Sequence, residues 1–188
     1  MKLLFCNRGV AMTELALVLP LLVLIIIGTL EIGRYATLNM KLDRAAATLT
    51  DLLTQQEQAT EASLQNISLA ADYIMKPYEF REGGIIFSSV YTSRGEPIES
   101  CSETIINCIV WQYKPRADYT SLIGEPGTIT YQVGTVPTGQ SVIVVEVFIE
   151  YSPMLSLTGD LVSALAPHTL YKYAVFKPRL NNLLSPPG

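Results

Sequence analysis

Few side chains in this chain of 188 residues are placed to do chemistry, and the most informative one is a carboxylate in an apolar run. Glu14 is the only ionisable residue between Val10 and Leu30, where the sequence is otherwise Leu, Val, Ile, Ala and a few small residues. A carboxylate near hydrocarbon costs about 3 kcal/mol on insertion scales, so it implies either a partner or a reach to headgroup water. The chemistry is charge pairing, not bond making. Cys101 and Cys108 flank Ser-Glu-Thr-Ile-Ile-Asn and could close a small disulfide loop, worth about 2–3 kcal/mol on the chain-entropy model. Two buried thiols are the alternative. Cys6 precedes the apolar run, and His168 is the only histidine, so no metal-ligand set is in view. The sequence holds no nucleophile elbow, phosphate loop, H-E-x-x-H or C-x-x-C. Glu96, Glu99 and Glu103 cluster beside Gly95 and Pro97 and read as a solvated turn. The sequence therefore predicts neither an enzyme nor a cofactor.

The element that positions Glu14 is a long helix. Val10 to Leu30 is roughly 20 residues, enough to cross about 30 Å of hydrocarbon. Past it, Leu38, Leu42, Ala45, Leu49 and Leu52 recur at spacings of four and three, which marks one apolar face. Asn39, Lys41, Asp43, Arg44, Thr48 and Asp51 fill the other sides, and no proline intervenes between Pro20 and Pro77. One helix from Val10 to about Gln55 follows, with its first half facing lipid or other helices and its second half packed on a globular domain. Pro20 removes a backbone donor, so it is either a soft point in the span or a tolerated kink. A secretory signal would have a shorter apolar run and a small-residue cleavage site after it; Ile27-Gly28-Thr29 offers none. The span is therefore expected to stay with the protein.

The order of features around that helix is specific. Lys2 and Arg8 form a short basic leader, Gly9 follows, and Glu14 is the fifth residue after the glycine. This resembles the prepilin signal of type IV pilins. Gly9 to Leu22, with Pro20, followed by Gly28-Thr-Leu-Glu-Ile-Gly-Arg-Tyr35, is similar to the TadE-like pseudopilins of tight-adherence (Flp/Tad) pili. The resemblance covers Arg8 to about Leu53. It implies cleavage between Gly9 and Val10 by a prepilin peptidase. It also implies that Glu14 pairs with an N-terminal amine during assembly, and that the partners are other pilin or pseudopilin subunits and a pilus assembly platform. The implied location is the bacterial inner membrane, crossed once, with the N-terminus cytoplasmic and the head periplasmic, or outside the cell once in a pilus. Basic residues before the span and an acidic bulk after it agree with that orientation. The head is large for a major pilin of this type, so a minor, priming or tip role is expected. The competing function is a static single-pass membrane protein whose periplasmic domain binds a partner in a secretion or envelope complex.

The remaining chain carries no family motif. Thr60-Glu61 reads as the start of a second helix with a stripe of Leu64, Ile67, Ala71 and Ile74, closed by Pro77. Ile85–Thr92, Thr104–Tyr113, Val142–Tyr151 and Leu170–Phe176 read as strands. In the third, Ile143, Val145, Val147, Ile149 and Tyr151 alternate with Val144, Glu146, Phe148 and Glu150, which predicts one face on a helix and the other partly wet. Lys172 is expected to pair with Glu146 or Glu150 across strands. Lys114–Gln140 reads as a long irregular loop that could hold a hairpin at Thr128–Val133, Gly159–Ala166 as a short helix, and Asn181–Gly188 as a frayed tail. The fold class is then α+β, a pilin-like lollipop: a transmembrane helix continuing into a head with an antiparallel sheet of about four strands. The expected segments are 1–9 leader, 10–33 membrane helix, 34–55 helix extension and 56–188 exported head. Formal charge is −4; without Lys2 and Arg8, 11 basic residues against 17 acidic give −6, which argues against a nucleic-acid partner.

Overall fold

The structure is a computed structural model that describes residues 8–80, 83–93, 107–116, 119–130, 132–153, 167–181, 183 and 185–188. The expected short helix at Gly159–Ala166 lies outside these residues. Helix α1 runs from Arg8 to Thr54 without a break, through Pro20. Many Leu and Ala residues, an Ala45-Ala-Ala47 run near the end and no second proline favour its length. The C-terminal end is capped by the tail of the chain, where the Arg179 N–H donates to Thr54 O at 3.0 Å. Asp51 in the last turn opposes the helix dipole, and the Arg179 guanidinium and Gln55 amide both engage it.

Helix α2 spans Glu61–Met75 and starts at a capping box. The Thr60 hydroxyl accepts from Ser63 N–H at 3.2 Å, and Ser63 Oγ accepts from Thr60 N–H at 3.1 Å. Pro77 forces Lys76 out of the helical region, and the helix ends there. Four strands follow: β1 (Gly84–Thr92), β2 (Asn107–Arg116), β3 (Ser141–Tyr151) and β4 (His168–Phe176). They form one antiparallel sheet in the order β2-β1-β3-β4. The α+β architecture and the strand count expected from the sequence are both present. The expected second strand begins at Thr104, but 104–106 lie outside the described residues, and the strand continues past Tyr113 to Arg116.

The chain divides into two compact units, Met1–Thr37 with Ser152–Ala166, and Leu38–Tyr151 with Pro167–Gly188. Within the second, Leu38, Leu42, Ala45, Ala46, Leu49 and Leu53 of α1 join Leu64, Ile67, Ala71 and Met75 of α2 in one core. Phe87, Trp111, Ile143, Val145, Val147 and Tyr151 supply its sheet side. Each such side chain removed from water contributes about 1.5–3 kcal/mol, so this interface holds the head together. The α1 stripe differs from the sequence expectation at its end, where Leu53 is buried and Leu52 only half-buried. The α2 stripe likewise closes on Met75, with Ile74 half-buried.

The opposite face of the sheet is only partly wet: Val144, Glu146 and Phe148 are buried, while Glu150 and Tyr173 are exposed. The loop from Tyr119 to Gln140 lies over it, and Ile123 packs with Val90, Ile109 and Val144 beneath that cover. Instead of forming its own hairpin, the loop pairs with β2: Thr130 N–H donates to Asn107 O at 2.9 Å, and Ile109 N–H to Thr128 O at 3.1 Å. Gly84 permits the close approach, because a Cβ there would lie 2.2 Å from the Tyr119 ring. Lys172 does not meet Glu146 or Glu150. The register sets Lys172 opposite Val147 on the helix side, where its Nζ lies 3.3 Å from Asp43 Oδ1 of α1.

The tail is docked where fraying was expected. Leu183 is 3% exposed and belongs to the helix–sheet core. Its carbonyl accepts from Trp111 Nε1–H at 2.9 Å and from Ser89 Oγ–H at 2.7 Å, donors that face each other across β1 and β2. Burying two polar groups requires a shared acceptor, and the tail backbone supplies it. Leu183→Ala should destabilise the head by about 2–5 kcal/mol. Trp111 is the sole tryptophan, so its fluorescence during urea unfolding measures the effect directly.

Candidate assembly helix and buried carboxylates

The first half of α1 carries the residues that the sequence marks for assembly. Gly9 and Val10 lie in the first turns of the helix, with Glu14 one turn further on. Glu14 is exposed, as are the residues around it from Ala11 to Ile26. Large apolar side chains including Leu17, Leu21, Ile25 and Leu30 all stand outward. A helix apolar and exposed all round has no aqueous solution; it needs lipid or other helices. From Ala11 the helix is long and apolar enough to cross a membrane. Hydroxyls in its exit region need no outside partner, since Thr29 donates to Ile25 O at 2.8 Å and Thr37 to Gly33 O at 2.7 Å.

Where the apolar run ends, the structure shows a feature that sequence reasoning passed over. Glu31 is 4% exposed, and its Oε2 lies 3.7 Å from Arg34 Nη1, one turn on. That separation is Coulombic, beyond hydrogen-bond range. The signal was available: Glu-x-x-Arg at i, i+3 just past a membrane-length run. Lys41 Nζ donates to Ile74 O at 3.2 Å, tying α1 to the end of α2.

A second buried carboxylate lies in the head. Glu146 is 0% exposed on the loop-covered face of β3. Its Oε2 accepts from Ser121 Oγ–H at 2.5 Å, and its Oε1 accepts from Leu122 N–H at 2.9 Å and from Tyr171 O–H at 3.0 Å. Gln112 Nε2 reaches Ser121 Oγ at 3.1 Å and Gly124 O at 2.9 Å, extending the network to β2. Burial, reinforced by the Glu146 carboxylate, pushes the Tyr171 phenol well above its ordinary value. The phenol is thus held neutral as a donor. Tyr119, Phe148, Tyr171 and Tyr173 stack alongside at centroid distances of 5.0, 5.0 and 5.9 Å. Among the described residues no cluster of His, Cys, Asp and Glu could hold a metal. The arrangement pins a loop to a sheet.

Of the cysteines, Cys108 is buried on β2, while Cys101 lies outside the described residues. The pairing of the two therefore belongs with the proposals below. Glu14 and Glu31 lie on α1 and Glu146 on β3.

From Ala11, α1 has the length and composition of a single membrane-crossing helix, and from Leu38 it packs in the core of an antiparallel α+β head. Residues 9–49 match the family model described as TadE-like protein, the family that the N-terminal residues resemble. The matched segment lies within α1. No curated protein and no solved structure matches the chain.

Glu146→Leu keeps the side-chain size but strands the Leu122 N–H and the Ser121 and Tyr171 hydroxyls. A loss of about 3 kcal/mol or more in head stability is expected. Glu146→Gln should cost less than half of that, because its carbonyl can serve the two donors at Oε1. Equal losses in the two variants, read by Trp111 fluorescence, would mean that charge rather than acceptor geometry holds the loop.

Proposed function

We propose that this chain is a minor pilin or pseudopilin of a tight-adherence (Flp/Tad) pilus, acting in assembly, priming or at the tip. The observation that carries the proposal is a coincidence of boundaries. The TadE-like match at 9–49 falls on a helix whose first half is apolar and exposed, and whose second half is built into a folded head. That is the division of labour required of a subunit stored in a membrane by its helix and presented by its head.

In this reading residues 1–9 are a leader, 10–33 cross the bacterial inner membrane, 34–55 extend the helix, and 56–188 form a periplasmic head. A prepilin peptidase cuts between Gly9 and Val10, and further pilin subunits and the assembly platform are the partners. Cys101 and Cys108 close a disulfide in the oxidising periplasm. The burial of the Cys108 sulfur supports this. Glu14 is the register device. Cleavage leaves a positive amine on Val10, one helical turn from the carboxylate. When the helix leaves lipid for a bundle, Glu14 pairs with such an amine, its own or a neighbour's. Removing one partner of a buried ion pair costs about 3–5 kcal/mol.

Two variants test the mechanism. Protein from cells with an active prepilin peptidase should begin at Val10 by intact mass, and Gly9→Phe should accumulate at full length in the membrane. A wild-type chain that still begins at Met1 would remove the leader from the account. Glu14→Gln should insert and fold normally, yet enter the pilus machinery at less than about one-hundredth of the wild-type level, the ratio that ~3 kcal/mol implies. Assembly at the wild-type level would reduce Glu14 to an interfacial carboxylate.

A further inference from the structure

Within the head, the two ends of the buried α1 stripe differ in what surrounds them. At the far end the Thr54 carbonyl accepts from Arg179 N–H, and the tail caps the helix. At the near end Leu38 is the first α1 residue of the core, and Lys41 Nζ donates to Ile74 O. The C-terminal end of α2 therefore lies beside the point where α1 enters the head. There α2 turns an apolar and aromatic face outward. Leu69 and Tyr73 stand one turn apart on it, and Tyr73, 73% exposed, is the most exposed large apolar side chain of the head among the described residues. Lys76 is exposed too, and its Nζ lies 4.9 Å from the centre of the Tyr73 ring. Pro77 and Tyr78 continue this surface around an open hollow of about 640 Å³. Asp72 at the rim is engaged by the Arg116 guanidinium at 2.7 Å. Among the described residues, Lys76 and Glu79 are then the exposed charges of the turn.

We infer that this end of α2, with the turn after it, is a contact surface for the phospholipid headgroup layer of the membrane that α1 crosses. The inference rests on the membrane-stored reading proposed above and adds a second contact to it. The occupant follows from distance along the helix. With Glu14 at one edge of the hydrocarbon, where its carboxylate reaches headgroup water, about 30 Å of helix ends near Arg34. Leu38 comes one turn later, about 6 Å on, and the headgroup layer is itself about 5–7 Å deep. The first turn of the buried stripe, and the α2 end tied to it, therefore come level with that layer. The side chains suit it. Tyrosine has an apolar ring and a polar tip, and it concentrates at membrane interfaces for that reason. Lysine lays its stem along apolar surface and offers its ammonium to a phosphate. A cation and an acid on one turn match a layer that carries phosphate and ammonium groups together, which a polyanion does not.

Fluorescence quenching of the full chain, reconstituted into vesicles of equimolar phosphatidylethanolamine and phosphatidylglycerol, tests the contact. A second tryptophan is added at this surface by Tyr73→Trp, or beside the far end by Leu180→Trp at another exposed side chain. The emission of the wild type in the same vesicles, which is that of Trp111, is subtracted. A nitroxide on the lipid headgroup should quench the tryptophan at 73 at least about twofold and the one at 180 by less than about a tenth, since Thr54 lies about 24 Å along the helix from Leu38. Lys76→Glu in the Tyr73→Trp chain should remove about half or more of that quenching, with the urea midpoint of the head unchanged. The inference fails if position 73 is quenched no more than 180 in a chain that resists extraction by alkaline carbonate, or if Lys76→Glu leaves the quenching at 73 unaltered. Emission at 73 that is blue-shifted yet unquenched would give the surface to a second copy and overturn it equally. Release of the chain by carbonate would overturn the membrane-stored reading itself.

Discussion

One uninterrupted helix has to satisfy two environments, and the rest of the chain is arranged around that constraint. From Ala11 to Leu30 nearly every side chain of α1 stands outward and is apolar; from Leu38 onward one stripe is buried to near zero exposure and the other sides are polar. The change occurs without a turn, because a backbone break at membrane depth would leave peptide groups without partners. The buried stripe in turn dictates the head. A single helix face cannot be covered by a sheet alone, so α2, the sheet and the Leu183 tail close around it from several sides. Cross-element ties are placed accordingly: Lys172 to Asp43, Lys41 to the Ile74 carbonyl, and Arg179 to Asp51. Exposed pairs of this type contribute under about 1 kcal/mol each, so they fix direction and register while the apolar stripe supplies the stability.

The other face of the sheet solves a different problem. A sheet with β-branched residues on both faces needs two covers, and the described helices, α1 and α2, cover one face. The long loop after β2 becomes the second cover, and a loop laid over an apolar surface brings backbone groups that must be satisfied. Glu146 provides acceptors where the loop needs them, at Leu122 N–H and Ser121 Oγ, and borrows the Tyr171 hydroxyl from the next strand. The opposite anchor is the Arg116 guanidinium, whose two-pronged contact with Asp72 at 2.7 and 2.8 Å ties the end of β2 to α2. The guanidinium is held protonated there above its ordinary range, first by the hydrogen bond to Asp72.

Legibility in the sequence follows the range of the interactions involved. Helix α1, the Thr60 cap, the alternation of β3 and the antiparallel class depend on neighbours within a few residues, and periodicity exposes them. The TadE-like match falls on the same local stretch. What was missed depends on distant pairings. Glu146 looked like the wet side of a strand because alternation cannot reveal that a loop 24 residues away supplies its donors. Lys172 was matched to the wrong carboxylates because its face is set by the β3–β4 register, which the sequence alone leaves open. The tail looked polar and loose because its anchor is a backbone carbonyl at Leu183, and a carbonyl has no sequence signature. One clue was readable: Val144 and Phe148 flank Glu146 on the same face, and an acid between two large apolar residues argues for a cover.

Glu146 also shows what Glu14 would require. Both are carboxylates on elements that are otherwise apolar, and desolvating either without donors would cost several kcal/mol. Glu146 meets the requirement inside the chain, with three donors in place before any partner arrives. Among the described residues Glu14 has no such shell; it stands exposed on α1. In lipid it can remain near the headgroups, but in a helical bundle its donors have to come from the bundle itself. A fold that satisfies one buried acid completely and leaves the other to be satisfied elsewhere separates stability from assembly. Under the proposed reading, the head can then fold in the membrane-stored state without specifying where the helix goes, and the charge near the start of α1 is left to select the destination.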